Sequence, residues 1–377
     1  MRCSPLTNNF FALFAVALCA SILLSGCSGS NKDLPTRPLY SGSEGIIVSL
    51  PKTNALTQYQ GDLFSVSVRL LNDGTADLSR EKPGILTAAF DSSVINAREV
   101  RTSSTQFTSS SSDAATSIAS ATATGVAPST LDRAFDIVNQ LVKGTIPSAG
   151  PAGVTSGYAR APFTARGRNR DMPVGDIAFV EFTFDAKKQV DNRQRATTPL
   201  TLQACYPYTT TFIADICVDR DILNGGSGGG CNAATINAQP QGAPIAVRSV
   251  TPRYTRVDGG VQARYEITLE NVKDGLVIWP GETLSSVDTC DLSQLKREYY
   301  GRAVVTGQVT ATLLRCGTDD RGIARFDKKS ATIICRLDAK DMPPGFESGS
   351  NYAAPLILQV RYFYIQTTTV QLEVVKQ

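Results

Sequence analysis

Gly61-Asp62-Leu63-Phe64-Ser65-Val66-Ser67-Val68-Arg69-Leu70-Leu71-Asn72 alternates apolar and polar residues with period two and then meets a turn at Gly74. A strand with one buried face requires that period, because successive side chains leave opposite sides of the pleat. Phe64, Val66, Val68 and Leu70 are therefore expected to point inward; a helix would spread them around its whole circumference. The plan returns at Gly259-Gly260-Val261-Gln262-Ala263-Arg264-Tyr265-Glu266-Ile267-Thr268-Leu269-Glu270-Asn271, before Gly275. There the inward set is Val261, Ala263, Tyr265, Ile267 and Leu269.

A second pair of segments repeats more closely. Pro199-Leu200-Thr201-Leu202-Gln203-Ala204-Cys205-Tyr206-Pro207-Tyr208 and Pro355-Leu356-Ile357-Leu358-Gln359-Val360-Arg361-Tyr362-Phe363-Tyr364 agree at six of ten positions. Each then runs through threonines into another alternating stretch, Phe212 to Val218 and Val370 to Val375, the pattern of a closing hairpin. Both landmarks occur in the same order, as duplication of one unit would leave them. Further strands are expected at Gly45 to Leu50, Gly84 to Phe90, Asp176 to Phe184, Ala243 to Val250, Val304 to Leu314 and Ala331 to Leu337. Short strands between Gly, Pro, Asn and Asp turns point to packed antiparallel sheets.

The recurring unit, Gly-Asp or Gly-Gly, alternating strand, Asn, then Gly, resembles surface modules of the immunoglobulin-like adhesion and S-layer families. It implies an all-β chain of two tandem immunoglobulin-like antiparallel β-sandwiches, although the Cys, Trp, Cys spacing of antibody domains is missing. The expected organisation is a leader over 1–26, a tether over 27–41, a first sandwich over 42–224, a Gly-rich linker over 225–241 and a second sandwich over 242–377. The first sandwich carries an insertion over 102–146. Thr102 to Thr124, dense in Ser, Thr and Ala, lacks the apolar residues for a core and reads as a loop, either a spacer or a recognition element. Ser129-Thr130-Leu131-Asp132 then resembles a capping box, and Leu131, Phe135, Val138 and Val142 share one face of an amphipathic helix ended by Gly144.

The leader addresses the compartment. Arg2 precedes an apolar run from Phe10 to Leu24, too short for a spanning helix and suited to a signal peptide. Leu24-Ser25-Gly26-Cys27 resembles the lipobox of prokaryotic lipoproteins, which implies cleavage before Cys27 and lipidation of its sulfur. The acyl group would attach the chain to the extracytoplasmic face of the cell envelope through the polar tether Ser28 to Asp33.

Cys3 and Cys19 fall in the leader and Cys27 is taken by lipid, which leaves six cysteines in an exported body. An even number there points to disulfides. Cys205 and Cys217 flank the presumed turn Tyr208 to Thr211 and are expected to pair; Cys316 and Cys335 flank a charged loop; Cys231 and Cys290 pair by elimination. The competing reading, a zinc site, has neither a Cys-x-x-Cys unit nor a histidine to support it.

The chain contains no histidine, which excludes Ser-His-Asp and Cys-His catalysis and His-ligated metals. A formal net charge of +3 gives no overall footprint for nucleic acid. Asp215, Asp219 and Asp221 near Asn224 offer carboxylates that could hold calcium but lack the closing Glu of an EF-hand, and a solvated interdomain loop is the competing reading. Asp319 and Asp320 could be read as a catalytic carboxylate pair, but neighbours on a loop diverge. Tyr206, Tyr208, Tyr362 and Tyr364 share a sheet face by alternation, either as a surface on which a ligand stacks or as core packing. No cofactor is expected. The expected function is a non-enzymatic, adhesive or assembly role with envelope proteins or glycans as partners. Capture of a solute or polysaccharide and a carboxylate-dependent glycoside hydrolase are the alternatives.

Overall fold

In the computed structural model the described residues are 41–52, 56–105, 119–121, 156–188, 194–218, 231, 233–258, 260–279, 281, 290, 295–341 and 352–377. Among them every extended element is a strand, and the only helical turns are two 3-10 turns at Arg297–Tyr299 and Ala339–Asp341. The expected inserted helix, Cys27 and the leader lie outside the described residues.

Nineteen strands among the described residues make three sheets. The first outer sheet runs β1 (Ile46–Ser49), β3 (Leu63–Asn72), β8 (Ile177–Ala186), β5 (Ile95–Thr105) and β6 (Ala119–Ala121) in spatial order. The second runs β10 (Ile236–Asn237), β11 (Ile245–Val257), β12 (Gly260–Asn271), β18 (Ser330–Leu337) and β16 (Arg315–Cys316). Both pack against one face of a nine-stranded central sheet, whose main path is β15 (Thr312–Leu313), β14 (Arg302–Val309), β19 (Tyr352–Val375), β9 (Arg195–Val218), β4 (Gly84–Asp91) and β7 (Ser156–Phe163). Three short strands complete it: β2 (Thr57–Tyr59) and β13 (Leu276–Ile278) on β19, and β17 (Ile323–Arg325) on β14.

Period-two patterning decides the faces as expected. Phe64, Val66, Val68 and Leu70 are buried on β3, as are Ala263, Tyr265, Ile267 and Leu269 on β12, while Val261 is only half-buried. The first outer sheet packs on the central one through aromatic contacts such as Phe90 of β4 edge-on to Phe184 of β8, centroids 5.1 Å apart. Buried side chains of all three sheets join in one core.

The expected closing hairpins are absent. β9 and β19 are each 24 residues long and pair antiparallel in unbroken register from Arg195 opposite Val375 to Val218 opposite Tyr352. Phe212 to Val218 and Val370 to Val375 continue these strands instead of turning back. The threonine stretches between them fit this course, since β-branched residues favour extended backbone. The central sheet thus crosses the boundary expected at 225–241, and Pro38–Gln377 form one compact unit. The Ser/Thr-rich stretch is also more ordered than a loop at its ends, where Val100–Thr102 of β5 pair with Ala119–Ala121 of β6.

The two halves repeat one hydrogen-bonding scheme about the middle of β9 and β19. Tyr206 Oη accepts the Ile46 N–H at 3.2 Å, and its counterpart Tyr362 accepts the Ile245 N–H at 3.2 Å. Tyr208 Oη accepts the Thr75 and Ala76 N–H groups at 2.8 and 3.3 Å and donates to the Gly242 carbonyl at 2.7 Å. Tyr364 Oη accepts the Gly275 N–H at 2.8 Å and lies 3.0 Å from Asn271 Oδ1. Asn72 and Asn271 each donate Nδ2 to the carbonyl four residues on, Ala76 and Gly275, both at 2.8 Å. Every strand-to-turn junction held this way satisfies polar groups that burial would otherwise leave costly.

Candidate functional site: an arginine-lined groove

The four tyrosines do not form a ligand surface. Tyr206, Tyr208, Tyr362 and Tyr364 are 1, 3, 1 and 1% exposed, and their rings stand about one another at centroid distances of 5.9 to 6.3 Å. They occupy a core position because alternation on β9 and β19 turns them toward the outer sheets, while Cys205, Phe363 and Ile365 line a smaller core on the opposite face. Burial raises the hydroxyl pKa of all four, that of Tyr208 to about 12.

Among the described residues three disulfides form, with one of the expected pairings among them. Cys316 and Cys335 are register partners on β16 and β18 and are bridged. Cys205 joins Cys290, and Cys217 joins Cys231. The pairing of Cys205 with Cys217 fails because β9 does not turn between them. Twelve residues of extended strand separate two cysteines by roughly 40 Å, far beyond the reach of a bridge. Each of the two therefore takes a partner from a neighbouring segment. Three bridges fit an oxidising, extracytoplasmic setting. Among the described residues no helix is long and apolar enough to cross a membrane.

Of the acidic candidates, Asp215 is exposed on β9 opposite Pro355, and Asp219, Asp221 and Asn224 lie outside the described residues. No group of three or more metal-ligating side chains occurs among the described residues. Asp319 and Asp320 diverge, Asp319 to Arg321 at 2.6 Å and Asp320 to Arg336 at 3.6 Å. The hydrogen bond from Arg321 holds the Asp319 carboxyl below its usual range.

Asp319 lines a feature that the sequence reading missed. An open groove of about 810 Å³ lies between the outer face of β12 and β18 and the edge formed by β14 and β17. Arg264, Arg302, Arg321, Arg325 and Arg336 line it against the acids Glu298 and Asp319. Register produces this concentration. Arg253 stands opposite Arg264, Arg264 opposite Arg336, and Arg336 opposite Arg315, so one row of four arginines crosses β11, β12, β18 and β16. Directly opposed residues share a face, and at about 4.8 Å per strand the row spans roughly 14 Å. Beneath it the adjacent positions Tyr265, Cys316 and Cys335 are buried. Across the groove Arg302 opposes Arg325 on β14 and β17.

The acids near the row neutralise it incompletely. Arg253 lies 3.8 Å from Glu266, Arg315 lies 3.4 Å from Asp338 and 3.7 Å from Asp341, and Arg264 donates to the neutral Gln262 at 3.1 Å. The groove rim is rigid at Gly322, where an added Cβ would fall 2.1 Å from the Val305 carbonyl. That close approach lets Val305 N–H donate to Gly322 O at 2.7 Å and Gly322 N–H donate to Cys316 O at 2.9 Å, which fixes the turn bearing Asp319 and Arg321. A local signal for the row existed in the sequence: Arg315-Cys316 and Cys335-Arg336 place an arginine beside each cysteine of one bridge.

No protein-family model matches the chain, and no curated protein is significantly similar to it.

Proposed function

We propose that the chain is a lipid-anchored protein of the prokaryotic cell envelope that acts by binding, with an adhesive or assembly role on the extracytoplasmic face. The two outer sheets, each with its share of the central sheet, then correspond to two immunoglobulin-like sandwiches fused through β9 and β19. The observation that carries the reading is the open, arginine-lined groove on a body tied by three disulfides. Its chemistry suits recognition of charge at a surface better than catalysis. A glycoside hydrolase requires a general acid whose pKa is raised, whereas Asp319 is held low by Arg321. The solute-capture alternative calls for an enclosing pocket, and the groove is open.

Two measurements on cells test the proposal. Metabolic labelling with a tagged fatty acid should mark the wild-type protein and not Cys27→Ser, which should leave the membrane fraction. Cells lacking the protein should lose attachment to an envelope or surface partner, and the wild-type gene should restore it. An unacylated mature N-terminus, or unchanged attachment, defeats the proposal.

A further inference from the structure

The four-arginine row is an energetic oddity for a fold held by cross-strand pairs. Like charges directly opposite on neighbouring strands destabilise a sheet, yet here they stand opposite three times in succession. Their acidic neighbours lie at 3.4 to 3.8 Å, at the edge of ion pairing and beyond good hydrogen-bond length. A second opposed pair, Arg302 and Arg325, faces the row across the groove, and no carboxylate among the described residues pairs with either. An anion seated between the two sets would offset the repulsion on both sides at once.

We propose that this groove binds an acidic polysaccharide, its carboxylate or phosphate groups held by Arg264, Arg336, Arg302 and Arg325. The inference rests on the binding role proposed above and names its ligand. Arginine supplies the chemistry, since its planar fork of donors matches a carboxylate or phosphate with two parallel hydrogen bonds. The shape selects a polymer: the groove is open rather than enclosing, and the row crosses the strands for roughly 14 Å, longer than one sugar. The lining disfavours other polyanions. It holds no Trp, Tyr or Phe, so bases would find no stacking platform and a protein partner no aromatic anchor. A concave groove also fits a chain better than the flat face of a membrane.

The test uses the full-length protein purified in detergent and four immobilised probes: polygalacturonate for carboxylate, polyglycerol phosphate for phosphate, neutral dextran, and galacturonate monomer. At about 50 mM salt the protein should be retained on one or both charged polymers and released by about 500 mM, as screened charge recognition requires. Dextran and the monomer should retain little. Arg264→Gln with Arg336→Gln should weaken polymer binding at least 10-fold, and Arg264→Lys with Arg336→Lys, which keeps charge but loses the fork, should fall between. Arg98→Gln, on the other outer sheet, should bind as wild type. The Gln pair should also melt no lower than wild type, because it relieves repulsion; a purely structural role for these arginines would lower the melting temperature instead. Retention on neither charged polymer, equal retention on dextran, or wild-type binding by the Gln pair overturns the proposal. Polymer binding without acylation at Cys27 would defeat the anchor reading alone, and acylation without polymer binding would defeat this one alone.

Discussion

Pro207 stands directly opposite Phe363 in the ladder between β9 and β19, and each is the other's counterpart in the duplicated segment. The two copies therefore meet at a local twofold: Tyr206 faces Tyr364, the counterpart of Tyr208, and Tyr208 faces Tyr362, the counterpart of Tyr206. A chain built this way reproduces within one molecule the self-complementary contact of a symmetric dimer. What joins the halves is the nine-stranded sheet, through its two longest strands.

The repeated tyrosine scheme predicts equal costs in the two halves. Tyr208→Phe and Tyr364→Phe each remove the hydroxyl that accepts from half-buried backbone donors, Ala76 and Thr75 in one case, Thr75 keeping only its bond to the Gly242 carbonyl, and Gly275 in the other. Each should lower unfolding free energy by about 1 to 3 kcal/mol, measured by urea denaturation at neutral pH. A variant as stable as wild type would mean that water or another group replaces the hydroxyl.

Alkaline pH should unfold the protein through the same four side chains. Burial pushes the Tyr208 hydroxyl up to about 12 from about 10 in an unfolded chain, and Tyr206, Tyr362 and Tyr364 rise in the same direction. A pKa raised by folding means that its stabilisation is intact below pH about 10 and is lost as pH climbs toward the folded value. For Tyr208 the loss is about 3 kcal/mol at completion. Tyrosinate absorbance should therefore rise together with loss of β-sheet dichroism. Ionisation of all the tyrosines near pH 10 in folded protein would contradict the burial.

Peptide mapping without reduction should recover Cys205 with Cys290, Cys217 with Cys231, and Cys316 with Cys335. The first bridge closes a separation of 85 residues and the second one of 14. Chain-entropy reasoning assigns about 4.5 and 3 kcal/mol respectively. Cys205→Ala with Cys290→Ala should accordingly destabilise more than Cys217→Ala with Cys231→Ala, and the reverse order would count against that account.

Arg168 supplies a fourth case. Its side chain is 3% exposed, donates to the carbonyls of Asp73 and Ser41, and lies 3.6 Å from the Asp73 carboxylate. Arg168→Met should cost about 3 kcal/mol or more, because the Asp73 carboxylate and two carbonyls lose one shared donor. A melting temperature within a degree of wild type would refute the assignment.

Sequence pattern revealed the parts of this fold that obey short-range rules. Alternation on β3 and β12 located their buried faces, and six identical positions in the Pro199 and Pro355 segments marked the duplication. The course of β9 past Tyr208 escaped it, because a threonine run extends a strand or opens a turn depending on what pairs with it. With that misreading went two disulfides. The arginine row escaped for a different reason: Arg253, Arg264, Arg315 and Arg336 are scattered along the chain, and only strand register brings them into line.

β2 adds a consequence for how such a chain reaches its final form. Thr57 to Tyr59 pair in parallel with Glu373 to Val375, so an early strand waits for residues 316 positions further along the chain. β9 likewise waits for β19, its partner along its full length. Contacts this distant in sequence form late and slowly. A polypeptide emerging from a ribosome or threading a translocation pore could not complete its nine-stranded sheet until β19 was free to pair, so export in an unfolded state would be favoured by the order of synthesis itself.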